Sequence, residues 1–207
     1  TVIWWTDFSA AGRTNRVEFG AGLTGVQAAA ESYVAVFTNT GFGYRQEARL
    51  SGLQADTLYE YRARSDDGAQ SHASAVYNFR TAPAPASGYR FAVLGDGQSD
   101  DAASIARHVL ACSNVLARGA SLALYHGDMV QTGSGTTPGT DRYWGVFLTN
   151  VLCAGAGQSG SGLGNRIPVF MAAGNHEIYR SGAGYAGGNR ADSMARFQAA
   201  CANPGNG

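Results

Sequence analysis

Tyr89-Arg90-Phe91-Ala92-Val93-Leu94-Gly95-Asp96-Gly97 decides how this chain is read. An apolar run that fits a β-strand ends in Gly-Asp-Gly, and the arrangement returns twice more. Leu122 to Tyr125 leads into Gly127-Asp128-Met129-Val130, and Ile167 to Ala172 leads into Gly174-Asn175-His176-Glu177. Between the first two runs the spacing predicts a helix, capped by Asp100 or Asp101, with Ile105, Val109, Cys112 and Leu116 on one face and Gly119 as its stop. A second helix is expected near Asp141 to Leu152, with Trp144, Phe147, Leu148 and Val151 as its apolar side, and a last one from Asp192 to about Ala200. The order is β-α-β-α-β, with three loops at the carboxyl ends of neighbouring strands. Ligand sites of α/β sheets gather at that edge. Asp96 and Asp128 bring carboxylates there, Asn175 an amide oxygen and His176 an imidazole. Those are hard-cation ligands beside a proton-transfer group, the makings of a metal-dependent hydrolase.

Upstream the pattern differs. Residues 1–82 read as all-β: Val2 to Trp5, Arg16 to Phe19, Tyr33 to Thr38, Tyr44 to Leu50, Leu58 to Arg64 and Ala75 to Arg80 are strand-like runs. Turn clusters at Gly20 to Gly25, Asn39 to Gly43 and Asp66 to Gly68 separate them at sandwich-like intervals. The stretch from Leu50 to Tyr61 resembles the corner entering the sixth strand of fibronectin type III domains. There a Tyr hydroxyl bonds back to upstream backbone, a role that falls to Tyr59. Residues 83–88, with Pro83 and Pro85, form a linker that can join neither helix nor ladder, and the α/β portion is 89–207.

Composition narrows the function classes. The formal net charge is zero, from 15 acidic and 15 basic residues, which argues against a nucleic-acid or membrane-surface binder. Every basic residue is Arg, read as the codon bias of a GC-rich bacterial genome. Apolar runs stay below the roughly 18 residues of a membrane span. Cys112, Cys153 and Cys201 lack zinc-site spacing; one disulfide with a free thiol and three buried thiols are both open. The first residue is Thr1, which processing or an upstream start would explain.

The ordered set Gly-Asp, Gly-Asp, Gly-Asn-His-Glu resembles the calcineurin-like metallophosphoesterases. With a sandwich ahead of it, the chain most resembles the purple acid phosphatases and their bacterial relatives. The resemblance implies a fibronectin type III-like sandwich followed by an α/β metallophosphoesterase half-domain. It implies metal ligands Asp96, Asp128 (bridging) and Asn175, with His176 meeting the substrate phosphate or protonating the leaving group. It also implies two divalent or trivalent ions of Fe, Zn or Mn type, about 3.5–4 Å apart, and a phosphate-ester substrate. Asn175 would contribute an oxygen without adding charge, and Glu177 stands behind the ligands.

Departures from the family bear on activity. Gln98 stands two residues beyond Asp96, where the family has His or Gly, and Gln131 stands where purple acid phosphatases place a metal-binding Tyr, so their colour is not expected. Three further His ligands belong to downstream motifs, but the four His are His72, His108, His126 and His176, and none follows. The 207 residues therefore read as a fragment or processed piece of a longer phosphoesterase, binding metal weakly or not at all by itself. The rival is a non-catalytic secreted module assembling through an unpaired sandwich edge, and on either reading an extracellular or periplasmic location is expected. His108 is assigned to a solvated or half-buried helix face. His126 is either an orienting group for Asp128 or a satisfied strand His, and Trp4, Trp5 and Trp144 are assigned to the core.

Overall fold

The computed structural model describes residues 1–9, 13–33, 43–84, 88–98, 101–131, 143–155, 158–178 and 190–201. The chain divides into two compact units, Thr1–Tyr89 and Arg90–Gly207.

The first unit is built from two sheets. One has the order β1 (Val2–Thr6), β5 (Tyr44–Ala48), β4 (Ala30–Tyr33). The other runs β3 (Gly25–Ala28), β2 (Arg16–Phe19), β6 (Leu58–Asp66), with β7 (Ser71–Ala73) and β8 (Tyr77–Arg80) sharing the far side of β6. Period-two alternation sorts β6 into a buried row, Tyr61, Ala63 and Ser65, and an outward row, Arg62 and Arg64. Val17, Ala48 and Tyr61 form the centre of the core, with Val2, Trp4, Phe19, Leu50, Tyr77 and Phe79 packed around it. Trp4 is a core residue whose Nε1 donates to the buried Ser65 hydroxyl at 2.8 Å, tying the two sheets together. On the outer row, Glu18 sits between Arg16 and Arg62, at 2.8 and 2.6 Å. Tyr59 Oη accepts from the Gln54 amide at 2.9 Å, the back-bond expected at the corner. Three strands escaped the sequence reading: β3, β4 and β7 are short, and their Ala, Ser, Gln and Glu carry little strand signal. Most of the expected Tyr33 to Thr38 strand lies outside the described residues.

The second unit holds a parallel sheet in the order β13 (Val169–Met171), β10 (Leu122–Tyr125), β9 (Phe91–Leu94). Helix α1 (Ala102–Ala117) connects β9 to β10. Asp101 caps it by accepting from the Ser104 amide at 2.9 Å, and Gly119 ends it at φ 69°, a conformation glycine adopts freely. The second helix, α2 (143–152), turns π-helical over Phe147–Leu152, where the Cys153 amide bonds five residues back to the Leu148 carbonyl. Trp144, Phe147, Leu148 and Val151 are buried, as their spacing implies. The Gly-rich stretch from Gly155 to Gly164 holds part of a two-residue antiparallel pairing, β11 (Ala154–Gly155) with β12 (Gln158–Ser159), and the start of the one-turn α3 (Leu163–Arg166). The Ser161 hydroxyl and amide both bond Val151 O, and Asn165 Oδ1 takes the Ala154 amide, so polar side chains supply the order that composition hid. Two short helices follow β13, α4 (Asn175–Ile178) and α5 (Arg190–Ala200). All three cysteines are free thiols.

Candidate functional site

The three carboxyl-end loops meet. Paired strands lie about 4.8 Å apart, and register sets Leu94 and Met171 on either side of Tyr125. The Asp96 amide reaches the Gly127 carbonyl at 3.4 Å, and the His176 amide donates to Asp128 Oδ1 at 2.9 Å. Asp96 and Asn175 are exposed, Asp128 and His176 half-buried.

Both Gly-Asp turns are left-handed at the acid: φ is 50° at Asp96 and 54° at Asp128. Asp tolerates that region better than most residues, yet such conformations persist only where surroundings enforce them. At the second turn the enforcing group is Glu177. Its carboxylate is fully buried and accepts from the amides of Asp128 and Met129 at 2.7 Å, Gly174 at 2.8 Å and Val130 at 3.1 Å. Three successive amides turned to one side form a nest for an anion, and Glu177 fills it from the next loop. The motif glycines answer to close approach. A Cβ on Gly127 would stand 2.6 Å from Gly174 Cα, and one on Gly174 would overlap the Asp128 carboxylate.

The first turn is held from beneath by histidines. A Cβ on Gly95 would overlap the His126 ring, and one on Gly97 the His108 ring. His108 Nε2 lies 2.6 Å from Tyr125 Oη, and Tyr125 Oη lies 3.2 Å from Cys112 Sγ. The ring also hydrogen-bonds the Gly97 backbone. Burial lowers the His108 pKa and raises those of Tyr125 and Cys112, so all three stay neutral near pH 7. The sequence held a signal for His108: it falls on the stripe of Ile105, Val109 and Cys112, the face α1 turns to the sheet. For Glu177 no pattern distinguishes a carboxylate that binds metal from one that binds amides.

His176 Nδ1 lies 2.7 Å from the Gln131 carbonyl. A carbonyl only accepts, so Nδ1 carries the hydrogen and Nε2 is left for chemistry. The loops that meet carry two carboxylates and an amide oxygen, residue types that suit a hard cation. Among the described residues no group of three His, Cys, Asp or Glu is placed to hold a metal, so the set is a partial one.

A β-sandwich followed by a parallel α/β unit with acidic turns at its strand ends defines a two-part architecture with an oxygen-rich site. Comparison gives that architecture a relative. Residues 1–81 match the family model of the purple acid phosphatase N-terminal domain. The fold is similar to that of purple acid phosphatase PPD1 from yellow lupin (Lupinus luteus) seeds, with a TM-score of 0.74 at 17% identity over 99% of this chain. The chain spans 38% of the length of that structure. No curated protein matches the sequence. The purple acid phosphatase resemblance thus stands in sequence for the first unit and in fold across the chain. Among the described residues no helix is long and apolar enough to cross a membrane.

Proposed function

We propose that the second unit carries the opening part of a metal-dependent phosphoesterase site. Asp96, Asp128 and Asn175 would hold cations, and His176 would meet the substrate oxygens. The observation that carries this reading is the hydrogen bond from the His176 amide to Asp128 Oδ1, which joins the third loop to the second, whose acidic turn is left-handed. It couples the proton-transfer residue to a cation ligand through backbone, so the ring position follows the ligand. A bound cation would supply positive charge to polarise phosphoryl oxygens. The chain's own part is to orient and to move a proton: Gln131 fixes the His176 ring through Nδ1–H, and in the imidazolium form Nε2–H would give its proton to the leaving ester oxygen as the P–O bond breaks, returning the ring to neutral. Substrate class and turnover by a whole enzyme belong to this proposal, since the relative is much longer.

A second reading has its own observation. Phe91 and Val93 are each 57% exposed and Leu124 is 37% exposed, on one face of a parallel sheet. Parallel sheets are normally covered on both faces. In a non-catalytic module this apolar face would be the assembly surface; in the enzyme it would pack against further parts of the catalytic unit.

Binding of inorganic phosphate, measured by ³¹P line width with and without Mn²⁺, separates the two. The phosphoesterase reading expects phosphate to bind only with metal present. Asp128→Ala should abolish metal and phosphate binding together. His176→Ala should keep the metal and weaken phosphate. Phosphate binding that ignores Mn²⁺ and Asp128 would refute the site.

A further inference from the structure

Asp96 and Asp128 both stand in the left-handed region, which a residue other than glycine keeps only where its surroundings enforce it. At Asp128 the enforcing group is the Glu177 carboxylate. At Asp96 the backbone tether to the Gly127 carbonyl is 3.4 Å, longer than an ordinary N–H···O bond of about 2.9–3.0 Å. The next residue, Gly97, is where this turn meets a rigid element. A ring N–H of His108 donates to the Gly97 carbonyl, and a Cβ on Gly97 would overlap the same ring. His108 projects from α1, a helix of 16 residues capped by Asp101. Its Nε2 lies 2.6 Å from Tyr125 Oη, so the hydrogen sits on Nδ1 and Nε2 accepts from the tyrosine hydroxyl. That hydroxyl accepts in turn from the Cys112 thiol at 3.2 Å. Tyr125 is buried, and Phe147 stands against both rings, with centroids 6.0 Å from His108 and 5.4 Å from Tyr125. Tyr125 ends β10, three residues before Asp128. One imidazole thus bonds the first loop through Nδ1 and, through Nε2, the strand that delivers the second.

We propose that His108 is a positioning residue of the cation site: its Nδ1–H, bonded to the Gly97 carbonyl, keeps the Asp96 turn left-handed and in register with the strand that carries Asp128. Cation affinity then depends on a hydrogen bond made to backbone, one residue away from the ligand. Groups standing behind metal ligands typically change affinity by about 10–100-fold. This assignment rests on the cation site proposed above and adds to it a group that sets its affinity.

Two readouts on the whole chain test it. One is Mn²⁺ affinity, followed by loss of the free-ion EPR signal. The other, taken in EDTA, is the amide-to-Hα NOE within Asp96, which is strong only at positive φ. Two variants separate the ring nitrogens: Asn at 108 places an N–H where Nδ1 stands, and Gln places its amide where Nε2 stands. His108→Asn should keep the strong Asp96 NOE and bind Mn²⁺ as tightly as the parent. His108→Gln should lose that NOE and bind at least about tenfold more weakly. A ring that merely filled space would give the reverse order, because Gln is closer to His in volume. Parental affinity and a strong Asp96 NOE in His108→Gln, with Asp128→Ala failing to bind, would overturn the His108 assignment and leave the cation site standing. A lost NOE and weakened binding in His108→Asn would also overturn it, whatever the Gln variant does. Undiminished binding by Asp128→Ala, or no specific binding by the parent, would overturn the cation site itself, and the NOE would still decide whether His108 holds the turn.

Discussion

Glu177 shows how one side chain can organise a site without entering it. Its carboxylate takes four backbone amides from two loops, and hydrogen bonds to a charged group are each worth about 1.5–3 kcal/mol. Glu177→Gln keeps the shape but turns an NH₂ toward amides that need an acceptor. The variant should destabilise the second unit by about 3–6 kcal/mol, two lost bonds at that worth, read as a lower urea midpoint. Parental stability in Glu177→Gln would mean the four amides do not depend on the charge. The glycines beside it were legible in the sequence only as turn residues. Their stricter reason, that Gly127 and Gly174 touch backbone to backbone, comes from two loops far apart in sequence.

At the scale of elements, reading succeeded where a local pattern had a local cause. Asp101, the Ile105–Leu116 stripe and Gly119 bound α1 because cap, face and stop all lie within the helix itself. β10 was legible from end to end. The short strands of the sandwich and the 154–166 pairing and turn were not, because their order comes from cross-strand partners and from Ser161 and Asn165. The candidate residues Asp96, Asp128, Asn175 and His176 follow from motif order, whereas the contacts of His108 and Glu177 emerge only in three dimensions. The link between α1 and the sheet has a pH dependence of definite sign. His108 is neutral in the folded unit with its pKa below the ordinary 6.5, and Tyr125 and Cys112, which face it, are pushed up and stay neutral. Between the folded pKa and about 6.5 the unfolded chain binds more protons, so stability rises with pH there. Lowering the pH from 7.5 through 6.5 should therefore reduce the urea midpoint of the second unit, and His108→Gln should flatten that slope. An unchanged slope in His108→Gln would place the titrating group elsewhere.

The whole molecule joins a sandwich related in sequence to purple acid phosphatase N-terminal domains to an α/β unit of the same overall fold as a longer relative. Its candidate site offers oxygen donors, and among the described residues no three His, Cys, Asp or Glu are grouped to hold a metal. Three oxygen ligands shared by the proposed cation pair would bind it weakly, so phosphate-ester turnover by these 207 residues alone should be negligible. The proposed function requires that the three loops bind one and the same cation cluster. Paramagnetic broadening of backbone amides on adding Mn²⁺ to ¹⁵N-labelled protein measures that directly. The expected result is early loss of the Asp96, Gly97, Asp128 and His176 amide signals together, at sub-stoichiometric Mn²⁺, and retention of the Asp96, Gly97 and His176 signals in Asp128→Ala. Broadening centred on another acidic turn, such as Asp66-Asp67, or broadening of one loop without the other two, would contradict it.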